Sequence, residues 1–409
     1  HTLPTLLAEL AGQVNLVYID PPFATGLDFT STITLPSSER HIRRTAYRDA
    51  WESLDGYLRW MDETLWLLRE LLADDGALLL HCDWRAEGML RLLLDDIFGA
   101  ENFRNAIVWS YRSGGASRRE SLARKHDTIL LYARSPRFRI RPRIERQYLR
   151  KPFMGSACDA RGRHYVDTLL RDVLEGEITC VGADKELVRY NVRPVLNLSR
   201  DRLDYPTQKP LGLLQLLLTL TSDPGDLVLD CCCGSGATAH AAETLRRRWI
   251  AADASPLAIQ TTRKRLLALA APRLFVVQRS VHEGETWMAA SAAELTFAVE
   301  QSRRAVTLHL TGYIPPPGSM LVSGASLATE AANDPTHGLR SLDSWSVDWT
   351  HNGATFRHRA HAARARNGVR ELPSALTCTY AEPGRYTIAV QVVDFAAHAT
   401  TRIVEVIVE

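Results

Sequence analysis

The chain switches repeatedly between short apolar runs and longer stretches in which apolar residues recur every three or four positions. The run "NLVYID" reads as a buried strand that stops at "PPF", because Pro21 and Pro22 cannot continue a central strand. In "YLRWMDETLWLLRELLAD", Leu58, Met61, Leu65, Leu68, Leu71 and Leu72 fall at helix spacing. Asp74-Asp75-Gly76 ends that helix, and "ALLLHCD" follows as a second buried strand. "AEGMLRLLLDDIFG" predicts a helix capped by Gly99. Further on come the strand "TILLYA", the helix "KPLGLLQLLLTLTS", the strand "LVLD", a Gly-Ser-Gly turn, the helix "ATAHAAETLRRR" and the strand "WIAAD". Strands alternating with helices predict an α/β protein with a parallel-rich sheet and helices on both faces.

The texture changes twice. Residues 112–200 are basic, glycine-dotted and weakly periodic, which suggests an insertion around the strand 128–133. After about Arg279 only strand-like alternation remains. "SWSVDWTHNGATFRHRA" is two alternating runs around Asn352-Gly353, a hairpin signal, and "GRYTIAVQVVDFAAHATTRIVEVIVE" is two more strands around a turn. Trp345 and Trp349 share one face of their strand and are expected in a core. The expected divisions are 1–111 and 201–279 as the two halves of one α/β domain, 112–200 as its insertion, and 280–409 as a small all-β domain, with an antiparallel sandwich in view.

Charge adds a partner. The chain carries a net +2, yet residues 112–163 hold 15 Lys/Arg against 4 Asp/Glu, or 15 − 4 = +11, leaving 2 − 11 = −9 elsewhere. Such a block is either a solvated basic face or a surface for a polyanion, of which nucleic acid is the usual one. The seven cysteines are odd in number and include no CxxC, which points to a reducing compartment and away from a zinc or thioredoxin-type site. The longest apolar run, "LGLLQLLLTL", is too short to span a bilayer, and no signal segment opens the chain. The first residue is His1, so the start is expected to be trimmed.

Two motifs carry chemistry. In "VLDCCCGSGAT" an acid ends a strand, and Gly234 and Gly236 remove Cβ atoms where backbone would approach a nucleotide-like ligand. Asp253, at the end of the next strand, is placed for ribose hydroxyls. There is no third glycine of the dinucleotide fingerprint and no Walker lysine. In "YIDPPF", Asp20 and the Pro21 carbonyl are two acceptors fixed by a rigid turn, and Phe23 offers a flat face for a base. The adjacent cysteines 231–233 diverge from a strand end without a second ligand cluster, so they read as small apolar fillers and no metal is expected.

"DPPF", "TQKP" and "DCCCGSGAT", in that order, resemble the amino-group DNA methyltransferases of the β arrangement. "HCDWRAEGMLRLLLDDIFGAENFRNAIVW" and "KHDTILLYA" are similar to their type III-like branch. The resemblance covers about Leu6 to Leu267. It implies a Rossmann-like sheet and S-adenosylmethionine as cofactor. It further implies that Asp230, Cys232, Gly234, Ser235, Gly236 and Asp253 line the cofactor, with Thr207, Gln208, Lys209 and Pro210 at its methionine end. Asp20, Pro21, Pro22 and Phe23 would hold the target base. Cys232 stands where the family often has an aromatic and Ala237 where it often has Thr, and an acidic segment upstream of the catalytic strand is missing.

The implied reaction is methyl transfer to an exocyclic amino nitrogen of a base flipped out of duplex DNA. Methylation at a cytosine ring carbon is disfavoured, since no Pro-Cys dipeptide occurs. Asp in the first motif position leans towards adenine N6, with cytosine N4, an RNA substrate and a silent DNA-binding subunit as alternatives. A dinucleotide-dependent oxidoreductase would share the glycine turn but leave "DPPF" and the basic block unexplained. The basic block becomes a target-recognition insertion, with Arg112, Arg118, Arg119, Arg124, Lys125 and His126 as candidate DNA contacts. His126 admits a pocket role or a purely structural one; His81 and Asp83 read first as strand-end caps. The expected setting is the cytoplasm of a prokaryotic cell. A homodimer is compatible with the sequence, and any restriction activity would belong to a subunit on another chain.

Overall fold

A computed structural model describes residues 2–34, 41–112, 122–182, 184–196, 199, 201–203, 205–270, 273–278, 293–316, 321–322, 325–326, 334–364 and 371–409. It divides into two compact units: residues 1–29, 47–202 and 207–254 form the first, and residues 30–46, 203–206 and 255–409 the second.

The first unit is built on a seven-stranded sheet. Its strands are β1 (Val14–Ile19), β4 (Leu72–Cys82), β5 (Phe103–Ser110), β6 (His126–Ala133), β10 (Val173–Glu175), β13 (Leu227–Asp230) and β14 (Arg248–Ala251). Their spatial order is β10-β5-β6-β4-β1-β13-β14. β4, β1, β13 and β14 run parallel, while β6 lies antiparallel to both its neighbours. Alternation sends successive side chains to opposite faces. Leu16, Leu79 and Val228 enter one core, Val17, Leu78, Leu80 and Leu229 the other. Helices α1 (Thr2–Leu10), α2 (Leu54–Leu71) and α3 (Glu87–Phe98) cover the second of these faces; α4 (Leu211–Thr221) and α5 (Ala237–Thr244) cover the first. This is the Rossmann-like α/β sheet the motifs imply.

Local sequence explains these elements. Ser53 caps α2 by accepting a hydrogen bond from the Gly56 amide at 3.1 Å, and Met61, Leu65, Leu68 and Leu71 form its buried stripe. Each such side chain contributes roughly 2 kcal/mol of burial. α5 stops at Thr244, shorter than "ATAHAAETLRRR" predicts, with Arg246 in the left-handed region beyond its end. The Arg247 guanidinium turns inward to Ser222 instead of continuing a helix surface.

The regular elements described in the weakly periodic stretch are β strands. Strands β7 (Ile144–Tyr148), β8 (Ala157–Cys158), β9 (His164–Leu169), β11 (Glu177–Val181) and β12 (Leu187–Asn191) form an antiparallel sheet of order β12-β11-β7-β9-β8, and β10 extends the main sheet beyond β5. Ile178, Cys180 and Tyr190 join the same core as α4. Gly212, near the start of α4, lies so close to Asn191 that a Cβ there would meet backbone atoms at 2.5 Å. Strands β2 (Leu27–Thr34) and β3 (His41–Asp49) pair with each other.

The second unit holds α6 (Pro256–Leu267) and an all-β assembly. One sheet is β15 (Glu294–Ser302), β16 (Ala305–Ile314) and β21 (Ala375–Thr379); β17 (Leu321–Val322) and β18 (Ala325–Ser326) form a small pair; the other main sheet is β20 (Ala360–Ala363), β19 (Leu342–Asp348), β22 (Gly384–Asp394) and β23 (Ala399–Val408). Leu308 and Tyr313 from one sheet share a core with Trp345 and Val390 from the other, and Trp349 is buried in it too. Residues 255–279, expected with the cofactor-binding half, group with the β strands in this unit, as do residues 30–46 and 203–206. The Asn352-Gly353 hairpin is also different from expectation. β19 and β20 do pair antiparallel, but Val347 faces Ala360, and the connection between the two strands spans residues 349–359. Asn352 Oδ1 accepts from the amides of Ala354 and Thr355, and Asp348 Oδ2 from that of Arg357, which builds a wide loop in place of a two-residue turn.

Candidate active site

β1 lies between β4 and β13, so the residues after Ile19 emerge at the carboxyl edge in the middle of the parallel strands. That is where open α/β sheets bind ligands. The turn Asp20-Pro21-Pro22-Phe23 continues into Ala24, which sits at φ +55°. Asp49, at the end of β3, stabilises this conformation. Its buried carboxylate accepts the amides of Phe23 (3.1 Å), Ala24 (2.8 Å) and Thr25 (3.0 Å), and the Thr25 hydroxyl at 2.6 Å. The motif reading did not single out Asp49: "YRDAW" carries no local signal for a partner some 25 residues away.

The Asp20 carboxylate is divided between two environments. Lys209 Nζ donates to Oδ2 at 2.5 Å, whereas Oδ1 is buried and has no hydrogen-bond partner among the described residues. The Lys209 ammonium also lies 5.4 Å from the centre of the Phe23 ring. The expected cofactor segment is thus spread over several contacts. Thr207 adopts φ +54° and meets the Tyr47 hydroxyl at 3.1 Å; the Gln208 amide donates to the Asp201 carbonyl at 2.8 Å; Pro210 opens α4.

Beneath Phe23 runs a polar network that the motif reading did not assemble. Phe23 stacks on His81 with ring centres 5.8 Å apart and planes at 26°. His81 is fully buried; its Nδ1 meets the Tyr18 hydroxyl at 2.9 Å and its Nε2 meets Asp127 Oδ2 at 3.1 Å. The Tyr111 hydroxyl donates to Asp127 Oδ1 at 2.9 Å. Hydrogen bonds to His81 hold the Asp127 carboxyl below its usual range despite burial, while burial pushes the Tyr18 hydroxyl well up. His81 is therefore the centre of this network rather than a strand-end cap. His126 is exposed at the start of β6, and its neighbour Asp127 carries the inward contact. The one available signal was a lone histidine in the apolar run "ALLLHCD".

The glycine turn lies next along the same edge. Gly234 (φ +47°) and Gly236 (φ +73°) both occupy the left-handed region, which a Cβ would strain, and Gly236 begins α5. Asp253 Oδ2 accepts the Gly234 amide at 2.9 Å, and Asp230 Oδ1 accepts the Cys232 amide at 3.1 Å. Burial drives the Asp230 carboxyl up to about 7, opposed by hydrogen bonds from Thr238 and Cys232. Ser235 is buried here, as is Cys233, while Cys231 and Cys232 pack at the edge of the α2–α3 core.

Of the candidate DNA contacts, Arg118 and Arg119 lie outside the described residues. Arg112 pairs with Glu175 at 3.0 Å. Arg124 stacks 3.6 Å over the half-exposed Trp84 ring. Lys125 accepts the Tyr111 amide through its carbonyl at 2.8 Å.

Comparisons with known proteins identify the family. A family model described as DNA methylase, of the N6/N4 amino-methyltransferase class, matches residues 14–264. Type II methyltransferase M.EcaI of Enterobacter cloacae is 30% identical over 319 residues, covering 66% of this chain and 68% of that protein. DNA adenine methyltransferase YhdJ of Escherichia coli (strain K12) is 23% identical over 265 residues, covering 64% and 80%. Alignment to the longer HindVI Mod subunit of Haemophilus influenzae spans only 13% of that protein. The solved structure of the PvuII DNA methyltransferase (cytosine-N4-specific) is similar at a TM-score of 0.41 and 16% identity, covering 66% of this chain and 85% of that one. The motifs, the sheet order and the family match converge: the chain belongs to the S-adenosylmethionine-dependent N6/N4 amino-methyltransferases of DNA.

Proposed function

We propose that this protein methylates the exocyclic N6 of adenine at specific sites in duplex DNA, acting on a base flipped out of the helix. The observation that carries this reading is Asp20: a carboxylate at the carboxyl edge of β1 whose Oδ1 is buried without a hydrogen-bond partner among the described residues, while Lys209, bonded to Oδ2, lies over the Phe23 ring. An aromatic amino group is a poor nucleophile because its lone pair is delocalised into the ring. Two fixed acceptors, Asp20 Oδ1 and the Pro21 carbonyl, would take its two N–H groups and favour a pyramidal nitrogen. Phe23 would stack on the base, and the Asp49 cradle keeps the turn from relaxing.

The cofactor fits the residues present. Left-handed Gly234 and Gly236 keep the strand-to-helix turn free of side chains at these two positions, and buried Asp230 and half-buried Asp253 brace it through the Cys232 and Gly234 amides. Asp253 would meet ribose hydroxyls and Asp230 the cationic end of the cofactor. When bound, S-adenosylmethionine supplies a methyl group already activated on a sulfonium. The adenine preference rests on Asp rather than Ser in the first motif position, and cytosine N4 is the other outcome of the same test. The insertion, residues 112–200, would contact DNA, with Arg124, which stacks on Trp84, among its candidate cations. The setting is prokaryotic cytoplasm, with cleavage of unmodified DNA left to a separate restriction subunit.

Tritiated methyl transfer from S-adenosylmethionine into duplex DNA, followed by nucleoside analysis, tests this. Labelled N6-methyladenine is expected from the wild type and none from Asp20→Ala, which should still bind the cofactor. Cofactor binding without any label in DNA would overturn the reading.

A further inference from the structure

We infer that Lys209 is a positioning residue for Asp20 rather than a cofactor ligand; this rests on the catalytic reading of Asp20 above. Three observations carry it. The ammonium donates to Asp20 Oδ2 at 2.5 Å, with only 11% of the Lys209 side chain and 19% of the Asp20 side chain exposed. The other oxygen, Oδ1, is buried without a partner among the described residues. The ammonium also sits 5.4 Å from the centre of the Phe23 ring, so one cation touches both the acid and the aromatic surface of the same turn.

A carboxylate turns about its last torsion in a broad, roughly two-fold well. An oxygen engaged by an ammonium in a largely water-free position is fixed by a charge-assisted hydrogen bond. Lys209 therefore chooses which oxygen is left for an incoming donor and where it points. The segment around it is fixed as well: Tyr47 meets Thr207, Gln208 donates to the Asp201 carbonyl, and Pro210 starts α4. The lysine reaches Asp20 from 189 residues away in sequence, which is why motif order alone assigned it to the cofactor.

In the reaction the amino nitrogen forms the new N–CH3 bond, the pair of the broken C–S bond stays on sulfur, and one amino proton departs to water. Lys209 takes no proton in this scheme. Its effect is on the geometry of the acceptor, where a displacement of about 1 Å can cost a hundredfold in rate.

The test separates turnover from cofactor affinity. For Lys209→Met, kcat at saturating DNA and cofactor should fall by about a hundredfold while the S-adenosylmethionine Kd stays within about threefold. Lys209→Arg restores a cation and should recover about tenfold of that loss. Lys209→Gln carries the same expectation as Met if Met does not yield folded protein. A Kd raised about tenfold with unchanged saturating kcat would assign Lys209 to the cofactor, and unchanged kcat and Kd would remove it from the site; either overturns the inference. Absence of transfer by the wild type would instead overturn the catalytic reading on which it rests.

Discussion

At the scale of single residues, two carboxylates at the active edge act in opposite ways. Asp49 is buried but fully used, accepting three amides and a hydroxyl. Asp49→Ala strands those donors, and we expect a loss of about 3 kcal/mol in urea unfolding together with a fall in kcat; an unchanged midpoint would show that the turn holds itself. Asp230 is buried against its ionisation, its carboxyl raised to about 7 from 3.8. The folded state thus keeps a proton that the unfolded chain has released between about pH 4 and 7, so this group costs stability as pH rises through that window. Asp230→Asn should remove that component: wild type minus variant stability should fall from pH 5 to pH 8, and a pH-independent difference would contradict the assignment. The "DPPF" and glycine motifs were legible because their chemistry is local, made by adjacent residues. Asp49, Tyr18, His81 and Asp127 were not, because only tertiary contact unites residues 25 to 63 positions apart.

At the scale of elements, helices α2 to α5 and the parallel strands β1, β4, β13 and β14 were legible from period and punctuation, and the arginine-rich sheet was not. Its strands are short and half exposed, as in "IERQY" and "LVRYN", so alternation has little apolar contrast to display. The Asn-Gly signal misplaced a turn because Asn352 and Asp348 side chains satisfy loop amides instead. The helix α6 illustrates a third failure. It follows the methyltransferase strands in sequence, yet its polar side chains join the β strands: Gln260 donates to Asp343 Oδ2 at 2.6 Å and to the Asp394 carbonyl, Lys264 to Asp343 Oδ1 at 2.7 Å, and Arg263 to Gln391 at 2.8 Å. Asp343→Ala should leave the Lys264 ammonium without its carboxylate and Gln260 with only the Asp394 carbonyl to donate to, and destabilise the second unit by about 3 kcal/mol in thermal or urea unfolding. No change would show that the Asp343 bonds do not hold α6 in place.

At the scale of the whole molecule, the charge count needs revision. Residues 112–163 carry a surplus of +11 in sequence. The fold brings acids from outside that block to five of its arginines: Glu175 to Arg112, Glu70 to Arg134, Asp74 to Arg137, Asp223 to Arg141 and Asp167 to Arg146. Composition located a region but overcounted its free cations, since acid partners distant in sequence cannot be counted from a linear window. The family match, residues 14–264, likewise runs across the boundary at Ser255 between the two units. The account as a whole turns on one acid, Asp20, whose Oδ1 is buried without a hydrogen-bond partner among the described residues. Its most direct test is the methylated nucleoside formed in DNA by wild type and Asp20→Ala at equal cofactor occupancy. The account predicts N6-methyladenine from the wild type alone; methyl transfer that persists at wild-type rate in Asp20→Ala would contradict it.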